Sequence, residues 1–227
     1  MMRRTRLFLS LAAASLAVCL YSAGNTWARH RGNAGDDIPG EFAYYLLSLS
    51  WSPAYCLSSP GADECNGPRG FGFIVHGLWP QFERGWPEYC GARGALPKEV
   101  VQGISDLMPA PGLVYHEWSA HGSCSGLSPS EFFALVRRAS SSVAIPGEFE
   151  NPTRATEEPP AAIAAAFQHA NPRFPALSIL VTCTGQSLPR LKEVHVCLNR
   201  DLAPRACSAA AIRGACRAAQ VIIPPIR

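Results

Sequence analysis

Charge is scarce in this sequence. Asp, Glu, Lys and Arg make up 16% of its 227 residues against 48% hydrophobic residues, a balance that argues against disorder and indicates a packed core. Long apolar runs are missing too: the stretch over residues 7–20 falls short of the ~20 residues a bilayer-spanning helix needs. No CxxC pair occurs, which removes a common spacing of zinc-binding cysteines. No GxSxG occurs, which removes the nucleophile elbow of the α/β-hydrolases. The chain has no internal repeat, no single linker that would divide it, and no usable Asn-x-Ser/Thr sequon, since Asn151 is followed by Pro152.

What is present begins with a leader. Arg3, Arg4 and Arg6 precede the apolar stretch, and small residues follow it, with Gly24 and Ala28 as cleavage positions. This is the pattern of a secretory signal peptide over residues 1–28. Lipidation of Cys19 is disfavoured because Val18 stands where a small residue is needed. The leader holds three arginines and no acids, so without it 20 basic and 17 acidic residues become 17 of each. The basic balance of the whole chain is therefore no nucleic-acid signature. The charge is uneven, however: residues 184–227 carry Arg190, Lys192, Arg200, Arg205, Arg213, Arg217 and Arg227 against Glu193 and Asp201. Such a segment reads first as a solvated surface and second as a face for a polyanion. Without Cys19 eight cysteines remain: Cys56, Cys65, Cys90, Cys124, Cys183, Cys197, Cys207 and Cys216. An even set behind a signal peptide predicts four disulfides in a secreted or periplasmic, oxidising location, and leaves their pairing open.

Twenty prolines and nineteen glycines imply many loops. Residues 29–40 are polar and predict a flexible start, which leaves residues 41–227 as one domain. Residues 42–51 (FAYYLLSLSW) and 71–75 (FGFIV) predict strands, the second putting Ile74 and His76 on one face ahead of a turn at Gly77. Residues 96–108 predict a short helix stopped by Pro109 and Pro111. Ser128 and Glu131 mark a helix start before EFFALVRRASS, and residues 157–171 predict a helix with its prolines in the first turn. Residues 176–183 and 191–199 are β-rich. Helices and strands mix without regular alternation, so the expected class is α+β in a single domain.

Two short segments carry the chemistry. FIVHGLWP (73–80) contains His76, and HEWSAHGSC (116–124) contains His116, Glu117 and His121. On a helix Glu117 and His121 lie within ~40° of each other, and His116 points ~100° away from Glu117. HExxH is a zinc-protease signature, but here the spacing is HExxxH, and histidines five apart diverge by ~140°, a poor grip on one ion. No metal and no cofactor is expected. With all eight cysteines paired, no thiol is left as a nucleophile. Two histidines and a carboxylate remain, an inventory for general acid–base catalysis near neutral pH, each transfer contributing about 10²- to 10⁴-fold. RNA cleavage needs this set: the ribose 2′-hydroxyl is an internal nucleophile, a base removes its proton, an acid protonates the departing 5′-oxygen, and donors stabilise the phosphorane. A lone histidine more often serves a packed core; three of the six in two Trp- and Gly-rich segments favour a site.

In these segments the sequence resembles the ribonuclease T2 family. The first family signature, His-Gly-Leu-Trp-Pro, is present as His76-Gly77-Leu78-Trp79-Pro80, and the second, His-Glu-Trp-x-Lys-His-Gly-Thr/Ser-Cys, runs from His116 to Cys124. WSPAYC (51–56) and EVHVCLN (193–199) extend the likeness over residues 42–220. The resemblance implies a central antiparallel β-sheet flanked by helices and stapled by disulfides. It implies metal-free cleavage of single-stranded RNA through a 2′,3′-cyclic phosphate. His76 and His121 would be the acid–base pair, with His121 as base and His76 as acid, or the reverse. Glu117 would polarise groups around the phosphate beside His121, and His116 would bind phosphate. Trp79 would stack on a base or pack in the core, Gln81 stands next to it, and Trp118 would pack. The pairings implied are Cys90–Cys124 and Cys183–Cys216, then Cys56–Cys65 and Cys197–Cys207. The expected partner is single-stranded RNA, with no membrane for the mature form and a monomeric state. One departure matters: Ala120 stands where the family has lysine. It favours the alternative of a catalytically weak or inactive RNA- or partner-binding protein on the same scaffold, against which stands the presence of both histidines.

Overall fold

Residues 42–51 carry no charge between Phe42 and Trp51, so a strand made from them can be covered on both faces. In the computed structural model, which describes residues 37–66, 70–91, 95–185 and 188–227, that strand is β1 (Tyr44–Trp51). It is followed by α1 (Ser52–Ser58), β2 (Phe73–Gln81), α2 (Lys98–Gly103), α3 (Pro111–Ala120), α4 (Pro129–Ser141), β3 (Thr156–Glu158), α5 (Pro160–Ala170), β4 (Ile179–Cys183), β5 (Leu191–Leu198), α6 (Ala209–Arg213) and β6 (Val221–Ile223). The leader and residues 29–36 of the expected flexible start lie outside the described residues. At the end of that start, the Gly40 N–H bonds the Cys124 carbonyl at 2.9 Å.

The main sheet is antiparallel throughout, in the order β2-β1-β5-β4, and β3 pairs with β6 in a small second sheet. One face of the main sheet presents Leu47, Leu49, Trp51, Val75, Val194 and Val196 to Trp118, Phe132, Val136 and Phe167, forming the principal core. Burying each such side chain contributes about 1.5–3 kcal/mol. On the opposite face Tyr44, Leu46, Leu180 and Cys197 form a smaller cluster, and beside it the sheet carries polar groups. The α+β class and antiparallel sheet agree with expectation, as do all four cysteine pairs: Cys56–Cys65, Cys90–Cys124, Cys183–Cys216 and Cys197–Cys207.

Three local expectations are corrected. Gly77 makes no turn: β2 runs on through it to Gln81. Residues 156–158 form β3 instead of leading into the helix, because Pro159 N-caps α5 and the preceding residues pair with Val221–Ile223. Pro111 stops nothing; it opens α3 at its first turn, where its missing N–H costs no hydrogen bond. The α4 start is as expected, with a Ser128–Glu131 capping box.

Candidate active site

The site is built on a defect in the sheet. Along β1 and β2, Ser48 pairs with Gly77 and Leu49 with Val75, so His76 has no partner and is the extra residue of a β-bulge. Strict alternation would send His76 and Trp79, three apart, to opposite faces. The bulge inserts one residue and brings both to the same face, where their rings lie 5.3 Å apart at 78°.

Register fixes the neighbours. Ser48 pairs with Gly77 on one side and His195 on the other, Ser50 with Glu193, and Thr182 of β4 with Glu193. Directly paired residues share a face, so Gly77, Ser48, His195 and Glu193 form a patch of one surface. α3 delivers Glu117 onto it. The carboxylate is 2% exposed, and its Oε2 accepts the Trp79 Nε1–H at 2.7 Å. Gly77 is required under it: a Cβ there would overlap both the Glu117 carboxylate and the Trp79 indole nitrogen. Glu117 Oε1 lies 3.5 Å from His76 Nε2 and has no hydrogen-bond partner among the described residues.

His121 lies just past α3, at φ −123° and ψ −47°, where the helix gives way to a 3₁₀ turn. Its ring is 5.3 Å from the Trp79 ring, and its Nδ1 is buried without a hydrogen-bond partner among the described residues. The His121 N–H still closes the helical bond to the Glu117 carbonyl at 3.1 Å, while the Glu117 carboxyl engages Trp79 and faces His76. His116 is exposed on α3, with its ring 6.4 Å from that of His121.

Two cavities flank the group. One of about 390 Å³ is lined by Trp79, Gln81, Trp86, His121 and His195. The other, about 260 Å³, is lined by Ser50, Tyr55, Glu64, His76 and His116. Gln81 reaches the first cavity, though its Nε2 donates to the Pro80 carbonyl at 3.0 Å. Trp118 packs against Phe132 and Phe133, as expected. Ala120 is 2% exposed, and its carbonyl accepts the Tyr89 N–H at 2.9 Å. Of the basic C-terminal residues, Lys192 stands at the site, while Arg205 bonds Glu83 at 2.9 Å and Arg200 lies over the Phe42 ring.

Sequence reasoning missed Glu193 and His195. Glu193 Oε1 lies 2.8 Å from His76 Nδ1 and Oε2 lies 2.9 Å from His195 Nε2. Lys192 Nζ is 3.6 Å from Oε1. The signal was available: a Glu-x-His pair inside a β-rich run places two ionisable groups on one face.

The environment divides the two histidines of the motifs. For His76, burial opposes the charge, but the Glu193 hydrogen bond and the charges of Glu117 and Glu193 outweigh it and hold the imidazole above its ordinary pKa. For His121, burial and then the neighbouring charges of His116 and His76 push the pKa down to about 3. Burial raises Glu117 to about 7 against the opposing pull of His76 and the Trp79 N–H. Glu193 is displaced the other way: burial would raise it, yet hydrogen bonds from His195 and His76 keep it ionised well below the carboxylate range. The surroundings thus favour the proton on His76 and disfavour it on His121, around a single tryptophan.

A sequence model of the ribonuclease T2 family matches residues 42–207. A ribonuclease of Aeromonas hydrophila is 36% identical over 175 residues, covering 71% of this chain and 74% of its own. Among solved structures, an RNase-related protein from Calystegia sepium superposes with a TM-score of 0.62 at 23% identity, covering 82% of this chain and 98% of that one. A variant of ribonuclease MC1 in complex with 5′-UMP gives a TM-score of 0.60 at 20% identity, covering 80% and 98%. The fold, the two signatures brought together at one bulged sheet face and this extent of likeness lead to one conclusion: the chain belongs to the ribonuclease T2 family and is an endoribonuclease of that type.

Proposed function

We propose that the protein cleaves single-stranded RNA by transphosphorylation through a 2′,3′-cyclic phosphate, with His121 as the base and His76 as the acid of the first step. The observation that carries the reading is the placement of two imidazoles against Trp79, His76 with Nδ1 on the Glu193 carboxylate and His121 with its Nδ1 buried and unpartnered among the described residues. His121 arrives without a proton and can take one from the 2′-hydroxyl. His76, whose proton its carboxylate partners favour, can release one from Nε2 to the departing 5′-oxygen. The phosphodiester brings negative charge between them, which raises the basicity of His121 once substrate is bound. In its neutral form Glu117 can donate from Oε1 to a phosphoryl oxygen, the atom that lacks a partner. The roles of the histidines exchange when water opens the cyclic phosphate. The cavities on either side of this group suit the nucleosides flanking the bond, with Trp79 and Gln81 on one side and His116 on the other. The ribonuclease MC1 variant solved with 5′-UMP shows that the same fold holds a nucleotide in that relative.

Ala120 supplies no cation to the phosphorane, and loss of one such donor costs about 10²- to 10³-fold in rate. Lys192 does not replace it, because its ammonium group lies 3.6 Å from Glu193 Oε1, on the Nδ1 side of His76 and away from Nε2. Four disulfides and the leader pattern support a secreted or periplasmic setting for the mature protein. Among the described residues no helix is long and apolar enough to cross a membrane.

The test is digestion of a single-stranded RNA in excess EDTA with identification of the product ends. Undiminished cleavage with 2′,3′-cyclic ends is expected. Loss of activity in EDTA would reassign the chemistry to a metal. No cleavage at all by folded, fully oxidised protein would leave a binding role.

The pH dependence follows from the same groups. With His121 neutral above about 3, His76 held above its ordinary value and Glu117 near 7, kcat/KM is expected to stay level from about pH 4 to 6. It should fall above about 7 as the proton donors are lost. A profile that instead rises through neutrality would contradict these assignments.

A further inference from the structure

Glu193 is a buried carboxylate, 3% exposed, in the middle of β5 and far in sequence from both motifs. Burying an ionised carboxylate is costly unless its oxygens are paired, and here both are. One oxygen faces His76 Nδ1 at 2.8 Å and the other faces His195 Nε2 at 2.9 Å, with the Thr182 hydroxyl 3.4 Å from the second. The two imidazoles bracket Trp79 edge-on, at 5.3 and 5.6 Å and both at 78°. Nothing in the acid–base chemistry proposed above uses this arrangement directly. It requires only that His76 present Nε2 to the cleft.

We infer that Glu193 is a positioning residue for RNA cleavage: it fixes His76 in the form protonated at Nδ1, with Nε2 toward the reacting phosphate, while His195 anchors the second oxygen. This rests on the assignment of His76 as the acid of the first step. A neutral imidazole has two tautomers, and its partner decides which one is present. An ionised carboxylate can only accept, so Nδ1 keeps its proton throughout. Nε2 then releases a proton to the 5′-oxygen in the first step and stands free to take one from water in the second. One fixed tautomer serves both half-reactions without a ring flip. The bulge at His76 supplies the direction of the ring; Glu193 supplies its rotation and its proton. The other charged and titratable groups that act on His76 are Lys192 beside Glu193, Glu117 on α3, His121 past its end, and Glu64 before β2.

The test compares Glu193→Gln, His76→Ala and the double variant on single-stranded RNA. Glutamine keeps the shape but not the charge and does not enforce one tautomer. The expected result is a fall in kcat of about 10²-fold, within the range that a positioned proton transfer contributes. KM should change little, and the basic limb of the kcat–pH profile should move to lower pH. The double variant should be no slower than His76→Ala, because Glu193 acts through that ring. A merely structural role would lower the amount of active enzyme and leave the limb in place; that result, or losses that add in full, would overturn the inference. If His76→Ala keeps wild-type activity, the acid assignment itself falls. If His76→Ala is inactive and Glu193→Gln is normal, only the positioning role falls. The ¹⁵N imidazole spectrum of wild-type protein tests the same point without relying on a variant that folds. Neutral His76 is expected to be protonated at Nδ1, and protonation at Nε2 would overturn it.

Discussion

Replacing His121 by alanine is expected to lower kcat/KM on RNA by about 10⁴-fold, and replacing His76 to lower it by about 10²- to 10⁴-fold. The two losses should part when the leaving group is changed. In a uridine 3′-phosphodiester of p-nitrophenol the departing oxygen is stable as an anion and needs no proton. A variant lacking only the acid should then recover to within about tenfold of wild type, whereas one lacking the base should not. His76, raised in pKa by its carboxylate partners, is the acid in this assignment. His121, buried and pushed down to about 3, is the base. Recovery of His121→Ala with the activated ester, and not of His76→Ala, would exchange the roles. Recovery of neither would mean that both imidazoles act chiefly on the phosphorane charge.

The site was legible in the sequence to the extent that it is local. His76-Gly77-Leu78-Trp79-Pro80 and the segment from His116 to Cys124 announce their chemistry by residue type and spacing, and the cysteine count announces four bridges. What depends on register was not legible. Period-2 alternation cannot foresee that an extra residue at His76 turns Trp79 to the same face, because a bulge shows only when the partner strand is known. Helical projection put Glu117 and His121 on one face, but it could not foresee that the Glu117 carboxyl would engage Trp79 and face His76, two residues of β2. Glu193 and His195 were hidden in a run that reads as an ordinary strand. Their importance comes from β1 lying between β5 and β2, a pairing between segments more than a hundred residues apart. The β3–β6 pairing escaped for the same reason, since Pro159 and Pro160 mark a helix start locally while Thr156–Glu158 is claimed by a strand near the C-terminus.

Glu117 lies where the demands of folding and of catalysis conflict, so Glu117→Gln should separate them. Burial raises this carboxyl from the ordinary 4.5 to about 7. Between those values the unfolded chain loses the proton while the folded protein keeps it. The unfolded state therefore gains relative to the folded one as pH rises, and the penalty is complete above about 7. At ~1.4 kcal/mol per pH unit the cost is on the order of 3 kcal/mol. Glutamine cannot ionise and carries no such cost, yet its oxygen can still accept the Trp79 N–H. The variant is therefore expected to be more stable than wild type at pH 8, by roughly 5–10 °C in Tm for a domain of this size, and to match it at about pH 4, below both pKa values. Its activity should fall by about 10- to 100-fold, because an amide N–H is a weaker donor to the phosphoryl oxygen than a carboxylic O–H. Thermal unfolding at the two pH values checks the sign. Equal Tm at pH 8 would mean that Glu117 ionises in the folded protein without penalty, and its part in catalysis would then be that of a fixed negative charge holding the proton on His76. A gain at pH 8 that vanishes in acid, together with slower cleavage, would show that the fold tolerates a destabilising carboxyl at this position because the reaction needs its proton.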